Sequence, residues 1–247
     1  MITQSFTILE GVSEKTDLNI KDQGIVDWQG FLDASQIKGI SLPRKKFYER
    51  ELVKAKQALF ENNASYFASK VKSSETWKLF EFFKDECVYL DIETDGLSRF
   101  SDVTVVGLYD GFNTKMMIKD INLDFKELKK ELSNYKMIVT FNGNVFDLPF
   151  IEKRYPGTIP DVLLLDLRFM CDKVGLSGGL KEVERVLGIK RNKVVEDLYG
   201  GDALRLWKMY KTTGDDHYLN LLLEYNEEDI VNLEKILGIV ISRLKNS

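Results

Sequence analysis

The pattern of apolar and polar positions changes character near residue 86. Beyond it, short apolar runs alternate with helical patterns. Cys87-Val88-Tyr89-Leu90-Asp91-Ile92 and Val103–Tyr109 are β-rich, and a Gly111-Phe112-Asn113 turn leads into Lys115–Lys119. Three such runs with short connections predict an antiparallel meander. A polar helix is expected over about Asp124–Asn134. Met137–Phe141 is almost wholly apolar, which predicts a central strand buried on both faces. A helix from about Val145, a Pro156-Gly157 turn and an apolar strand over Val162–Leu167 follow. The remainder reads as helix: Leu180–Leu187, Asp202–Tyr210, and a long segment from about Asp216 to Leu244. The order β-β-β-α-β-α-β-α is mixed and is not a doubly wound βαβ repeat.

Residues 1–85 carry short helical patterns with charged faces and little strand signal. Gly24–Leu32 reads as a turn entering a short helix, Arg44–Lys70 as one long amphipathic helix, and Thr76–Phe83 as a helix delivering the chain to the first strand. The expected organisation is a mainly helical region over 1–85 followed by an α/β domain over 86–247, its five-stranded mixed sheet flanked by helices.

The chain has 247 residues, 44% of them hydrophobic and 30% charged, with 4 Pro, enough apolar material for a sizeable core. The net charge of -4 lacks the basic signature usual in nucleic-acid binders. That argument weakens where acids gather around cations, whose charge inverts the local field. Cys87 and Cys171 lie in unrelated contexts and make neither a disulfide framework nor a metal knuckle, which fits a reducing compartment. The N-terminal MITQSFTILEGVSEKTD has no basic start and no apolar run of signal length. No stretch is long and apolar enough to span a membrane. A soluble, cytoplasmic protein without membrane association is expected.

Three groups of acids carry candidate chemistry. Asp91 and Glu93, in Leu90-Asp91-Ile92-Glu93-Thr94, share one face of a strand by its period of two. Two carboxylates projecting together repel each other and resist desolvation, which a divalent cation offsets; a solvated strand end is the plain alternative. In Phe141-Asn142-Gly143-Asn144-Val145-Phe146-Asp147 a strand ends, Gly143 relaxes the backbone, and Asp147 falls in the first turn of a helix at the strand's C-terminal edge. An acid favoured by the helix dipole explains the same position. In Tyr225-Asn226-Glu227-Glu228-Asp229, Tyr225 and Asp229 are four apart and share a helical face; alone, this is also an ordinary charged face bordering a packed surface.

Taken together and in chain order, LDIET, FNGNVFD and YNEED resemble the motifs of the DEDD superfamily of exonucleases, which are DnaQ-like and ribonuclease-H-like. The histidine variant of that family needs His five residues before the last Asp, where this chain has Glu224. The tyrosine variant needs Tyr four before it, and Tyr225 stands there. His217, the single histidine, fits neither slot. Residues 86–240 are similar to the YprB-type ribonuclease-H-like domain through Gly178–Glu184, Trp207–Tyr210 and Tyr225–Leu233, and Phe6–Phe31 resembles the segment preceding it.

The resemblance implies a ribonuclease-H-like sheet and metal-dependent 3′→5′ exonuclease activity on single-stranded DNA or RNA or on 3′ overhangs. It also implies two Mg²⁺ or Mn²⁺ ions, about 4 Å apart. Asp91 would bridge both ions. Glu93 and Asp229 would hold the water-activating one, Asp147 would act on the other through waters, and Tyr225 would orient the nucleophilic water. The all-oxygen ligands suit Mg²⁺ or Mn²⁺ rather than Zn²⁺.

Secondary candidates are Asn142, to contact substrate or brace the Asp147 turn; Asp166, to support the site from the neighbouring strand; and Lys181, opening a helix after Ser177-Gly178-Gly179 where backbone N–H groups receive phosphate. Arg44-Lys45-Lys46 is the densest basic cluster and reads as a solvated helix start ahead of a phosphate-binding patch. Phe6, Trp28 and Phe31 read as packing. A structure-specific endonuclease, a non-catalytic nucleic-acid-binding module and a structural calcium or magnesium site are the competing readings.

Overall fold

The structure, a computed structural model, describes residues 1–98, 100–198 and 200–245. The chain divides into two compact units, Met1–Lys84 and Asp85–Ser247. The last two residues of the second unit lie outside the described ones.

The first unit contains α1 (Glu14–Lys21), α2 (Trp28–Asp33), α3 (Leu42–Phe60), α4 (Ser65–Ala68) and α5 (Phe80–Phe83). Ser13 and Asp27 cap α1 and α2 with their side chains. Phe6, Trp28 and Phe31 are fully buried, and the Trp28 indole N–H donates to the Ser5 carbonyl at 2.8 Å. These aromatics are core.

Two expectations for this unit are corrected. The helix expected over Arg44–Lys70 ends at Phe60, because Asn62 takes a left-handed φ of 53° and the Asn63 N–H returns to the Ala58 carbonyl. Asn tolerates that conformation and stops helices for this reason. Over Thr76–Phe83 the backbone is first a 3₁₀ turn, Ser73–Leu79, and only then α5. The basic cluster is also less free than a solvated helix start. Arg44 donates to the Tyr48 hydroxyl and the Glu10 carbonyl, and Lys45 is buried in an ion pair with Glu49.

The second unit is built on β1 (Cys87–Thr94), β2 (Val103–Tyr109), β3 (Thr114–Ile118), β4 (Met137–Thr140) and β5 (Leu163–Asp166), in the order β3-β2-β1-β4-β5. β1 pairs antiparallel with β2, and β2 with β3; β4 runs parallel to both β1 and β5. This is the mixed five-stranded α/β architecture expected. Connecting and covering the strands are α6 (Phe125–Leu132), α7 (Asp147–Arg154), α8 (Leu167–Lys173), α9 (Leu180–Leu187), α10 (Gly200–Thr213) and α11 (Asp216–Lys245). The pattern reading missed α8 and ran its strand on to Leu167. The Asp166 carboxylate accepts the Arg168 N–H and caps α8, so the strand ends one residue earlier.

The strand period of two sorts β1 between two cores. Val88, Leu90 and Ile92 pack with Leu128, Leu132, Leu148 and Ile151 of α6 and α7. On the other side, Val105 of β2 packs with Trp207 of α10 and Leu219, Leu222 and Tyr225 of α11. Among the described residues, no helix is long and apolar enough to cross a membrane.

Candidate metal centre

Asp91 and Glu93 alternate with the core residues Leu90 and Ile92, so they project toward α11. There they meet Asp229: one ligand oxygen from each of the three carboxylates lies within 4.8 Å of the others. Asp91, Glu93, Asp147, Tyr225 and Asp229 line one cleft of about 380 Å³, walled on its apolar side by Leu97, Phe141, Phe146 and Leu204. Asp147 joins the cleft but not the close trio. It is the first residue of α7, and its Oδ1 accepts the Ile92 N–H at 3.2 Å.

Burial and mutual repulsion act on all four acids. Asp91 is raised well above the usual carboxylate range by desolvation, then by the charges of Asp147, Asp229 and Glu93. Glu93 is raised by desolvation and by Asp229 and Asp147. Asp147 is pushed up to about 7 by burial, against the opposing pull of backbone N–H groups. Asp229 is pushed up to about 6 by burial, with Arg191 holding it lower than burial alone would. Acids so placed are costly when ionised without cations and form a hard, all-oxygen donor set, which fits a divalent cation.

The Tyr225 hydroxyl is shifted far upward by burial and by Asp229, Glu93 and Asp91. The shift keeps the phenol protonated in the metal-free protein. Lys181 Nζ lies 5.5 Å from its ring centroid and Arg191 Cζ 5.6 Å.

Three residues that sequence reasoning did not single out hold the site. Asn226, fully buried, donates from Nδ2 to Asp91 Oδ2 at 2.8 Å. It fits because Gly107 of β2, directly opposite Asp91 in register, has no side chain; a Cβ there would fall inside the Asn226 amide. A lone glycine inside an apolar strand signals such a close approach and was the available clue. The other two are Arg191 and Glu184, both buried. Arg191 donates a fork to Glu184 at 2.7 and 2.9 Å and forms an ion pair with Asp229. Asn232 Nδ2 donates to the same Glu184 at 2.9 Å. Nothing local marks an Arg in Lys190-Arg191-Asn192 as buried.

The secondary candidates separate. Asn142 lines the cleft, and its left-handed φ of 65° makes the turn assigned to Gly143. Gly143 is needed for a different reason: a Cβ there would strike the Thr140 side chain. Asp166 ties the turn down, accepting the N–H groups of Asn142 at 2.8 Å and Asn144 at 3.0 Å. Lys181 donates to the Glu196 carbonyl at 3.1 Å and does not line the cleft. His217 caps no site chemistry; its N–H bonds Asp215 at the start of α11.

A mixed 3-2-1-4-5 sheet with carboxylates on its first strand and on a late helix defines an α/β fold of ribonuclease-H type. Residues 88–241 match the family model described as the RNase_H superfamily, more than half of the chain, and the protein belongs to that superfamily. Among solved structures it is similar to RNase D of Escherichia coli, described as an exoribonuclease involved in structured RNA processing. The identity is 16% over 70% of this chain and 43% of that one, with a TM-score of 0.48. A nuclease in apo form matches at 14% identity over 71% and 79% of the two chains, with a TM-score of 0.48. The family B DNA polymerase of the hyperthermophilic archaeon Pyrobaculum calidifontis matches at 14% identity and a TM-score of 0.46; the match covers 64% of this chain and 24% of the polymerase. A search of curated proteins finds no significant match.

Proposed function

We propose that residues 86–247 form a metal-dependent nuclease that hydrolyses phosphodiester bonds, acting 3′→5′ on single-stranded nucleic acid or 3′ overhangs. The observation that carries this reading is the trio Asp91, Glu93 and Asp229, its oxygens within 4.8 Å in an open cleft shared with Asp147 and Tyr225. Asp91, Glu93 and Asp229 would hold one divalent cation, Mg²⁺ or Mn²⁺, and Asp91 with Asp147 a second. When bound, such ions lower the pKa of water and stabilise charge on the leaving oxygen. The protein's part is placement. Asn226 orients Asp91, Arg191 orients Asp229, and the Ile92 N–H orients Asp147. Tyr225 orients the attacking water through its hydroxyl. The water oxygen forms the new bond to phosphorus, and the bond to the leaving oxygen breaks. The 3′→5′ polarity rests on the resemblance of the three motifs to those of the DEDD exonucleases. The buried free thiols Cys87 and Cys171 suit a reducing, cytoplasmic setting.

The test incubates 5′-labelled single-stranded DNA and RNA with wild type and Asp147→Ala in Mg²⁺, Mn²⁺ or EDTA. The expected result is a metal-dependent ladder shortening from the 3′ end and lost in the variant. Internal cuts would instead establish an endonuclease, and no cleavage of either strand would overturn the nuclease reading. Tyr225→Phe should lower kcat by about 10²-fold, in the range of one positioned hydrogen-bonding group, while the Mn²⁺ affinity measured by calorimetry changes little. An unchanged kcat would remove Tyr225 from the mechanism.

A further inference from the structure

Leu97, on the rim of the carboxylate cleft, also lines a second pocket of about 180 Å³ between the segment following β1 and the last turn of α7. Ser98, Ser101, Phe150, Lys153 and Arg154 complete its wall. The chemistry is the reverse of the cleft's. Among the described residues no carboxylate lines it, while two cations and two hydroxyls do. Lys153 is exposed and has no ion-pair partner among the described residues. The Arg154 side chain, 43% exposed, has one contact with an acid, Nε to Asp102 at 3.7 Å, beyond good hydrogen-bonding distance. Its guanidinium also interacts with the Tyr155 hydroxyl. The Ser98 and Ser101 hydroxyls are 3.0 Å apart, and the Ser98 N–H donates to Ser101 Oγ, so both serines are held at the pocket.

One helix links this pocket to the cleft. α7 begins at Asp147 and ends at Arg154. At 1.5 Å rise per residue, Lys153 lies about 9 Å along the axis from Asp147. A rigid helix thus sets a fixed distance between an acid of the candidate metal centre and two cations at its other end.

We infer that the pocket formed by Lys153, Arg154, Ser98 and Ser101 is a phosphate subsite for the nucleic-acid strand, holding a phosphodiester next to the one at the carboxylates. The inference deepens the nuclease reading and rests on it. Contacts to phosphate position a strand without reading its sequence or sugar, so DNA and RNA are affected alike.

The test compares full-length wild type with Lys153→Ala/Arg154→Ala on two substrates in Mn²⁺. One is a ten-residue single strand, as oligothymidine or oligouridine. The other is the p-nitrophenyl ester of thymidine 5′-monophosphate, whose single phosphate is the one hydrolysed and leaves none for the pocket. Fluorescence anisotropy in EDTA measures strand binding apart from hydrolysis. The expected result is a loss of strand affinity and kcat/KM on the order of tenfold at low salt, as for losing charge-assisted hydrogen bonds. Ester hydrolysis should be unchanged. The slope of log affinity against log salt should shrink by about 0.7, the contribution of one phosphate on a single strand. Arg154→Lys alone should keep most of the slope. Equal strand affinity and slope in wild type and variant would overturn the subsite, as would a parallel loss on the ester. If wild type hydrolyses neither substrate, the nuclease reading fails and anisotropy alone decides the subsite: no binding, or binding indifferent to the two substitutions, overturns it.

Discussion

At the scale of single residues, the site is a balance between repelling carboxylates and a few groups that hold them. Asp91, Glu93, Asp147 and Asp229 are all raised, chiefly by burial. Neutralising one should therefore stabilise the metal-free protein while destroying the metal centre. Asp91→Asn is expected to raise Tm in EDTA, to abolish the Tm gain on adding Mn²⁺, and to lower hydrolysis on the order of a thousandfold. A variant less stable in EDTA than wild type would contradict the repulsion argument. Arg191 is the opposite case. It is buried against Glu184 and Asp229, so removing it strands two acids. Arg191→Met should cost roughly 3–5 kcal/mol in urea denaturation with EDTA present. Divalent cation should restore more stability to this variant than to wild type, because the ion takes over the positive charge beside Asp229. A cost below about 1 kcal/mol would show that the pair is only peripheral to the site.

At the scale of elements, the site depends on how closely α11 approaches the sheet. Asn226 reaches Asp91 only because β2 presents Gly107 opposite it. Gly107→Ala should push Asn226 away, cost about 1–3 kcal/mol as overpacking does, and weaken Mn²⁺ binding through a displaced Asp91. Calorimetric titration with Mn²⁺ checks this; a variant with full metal affinity would mean that the contact only packs. α7 serves the site at both ends, with Asp147 at its first residue and Lys153 and Arg154 in its last turn. The turn that delivers α7 is held by Asp166, which also caps α8. One side chain thus connects the end of β5 to the placement of Asp147.

At the scale of the whole molecule, the collected acids link stability to both protons and cations. With Asp147 near 7 and Asp229 near 6, above their unfolded values, the metal-free folded state binds more protons than the unfolded chain between about pH 4 and 7. Stability from these groups is therefore lost as pH rises through that window. Cations compete with the same protons. The Tm gain produced by Mg²⁺ or Mn²⁺ should be larger at pH 7.5 than at pH 5, and saturation at about 100 times Kd should add about 2.7 kcal/mol. Differential scanning calorimetry at the two pH values tests this; an equal gain at both would place the ion away from these carboxylates.

Much of the second unit was legible in the chain itself. The five strands, the antiparallel meander of the first three and the helical positions of Asp147 and Asp229 follow from periods of 2 and 3.6 and from turn residues, all of which are local, while the parallel order of the last two came with the resemblance to the ribonuclease-H-like sheet. Local signals failed where two readings compete over a few residues. Leu167 continues an apolar run yet follows the cap Asp166, and Asn62 interrupts an amphipathic pattern that resumes at once. What the sequence determined alone was which acids exist and which face of their element each occupies. Only the tertiary structure decided which of them meet. Asn226 and Asp91 are 135 residues apart, and Asp147 and Ile92 55 apart. Arg191 is claimed by Glu184 and Asp229 because α9, the segment after it and α11 converge on one buried point. A pairing of that kind is encoded in no window of the chain, because its energy arises only when distant groups leave water together.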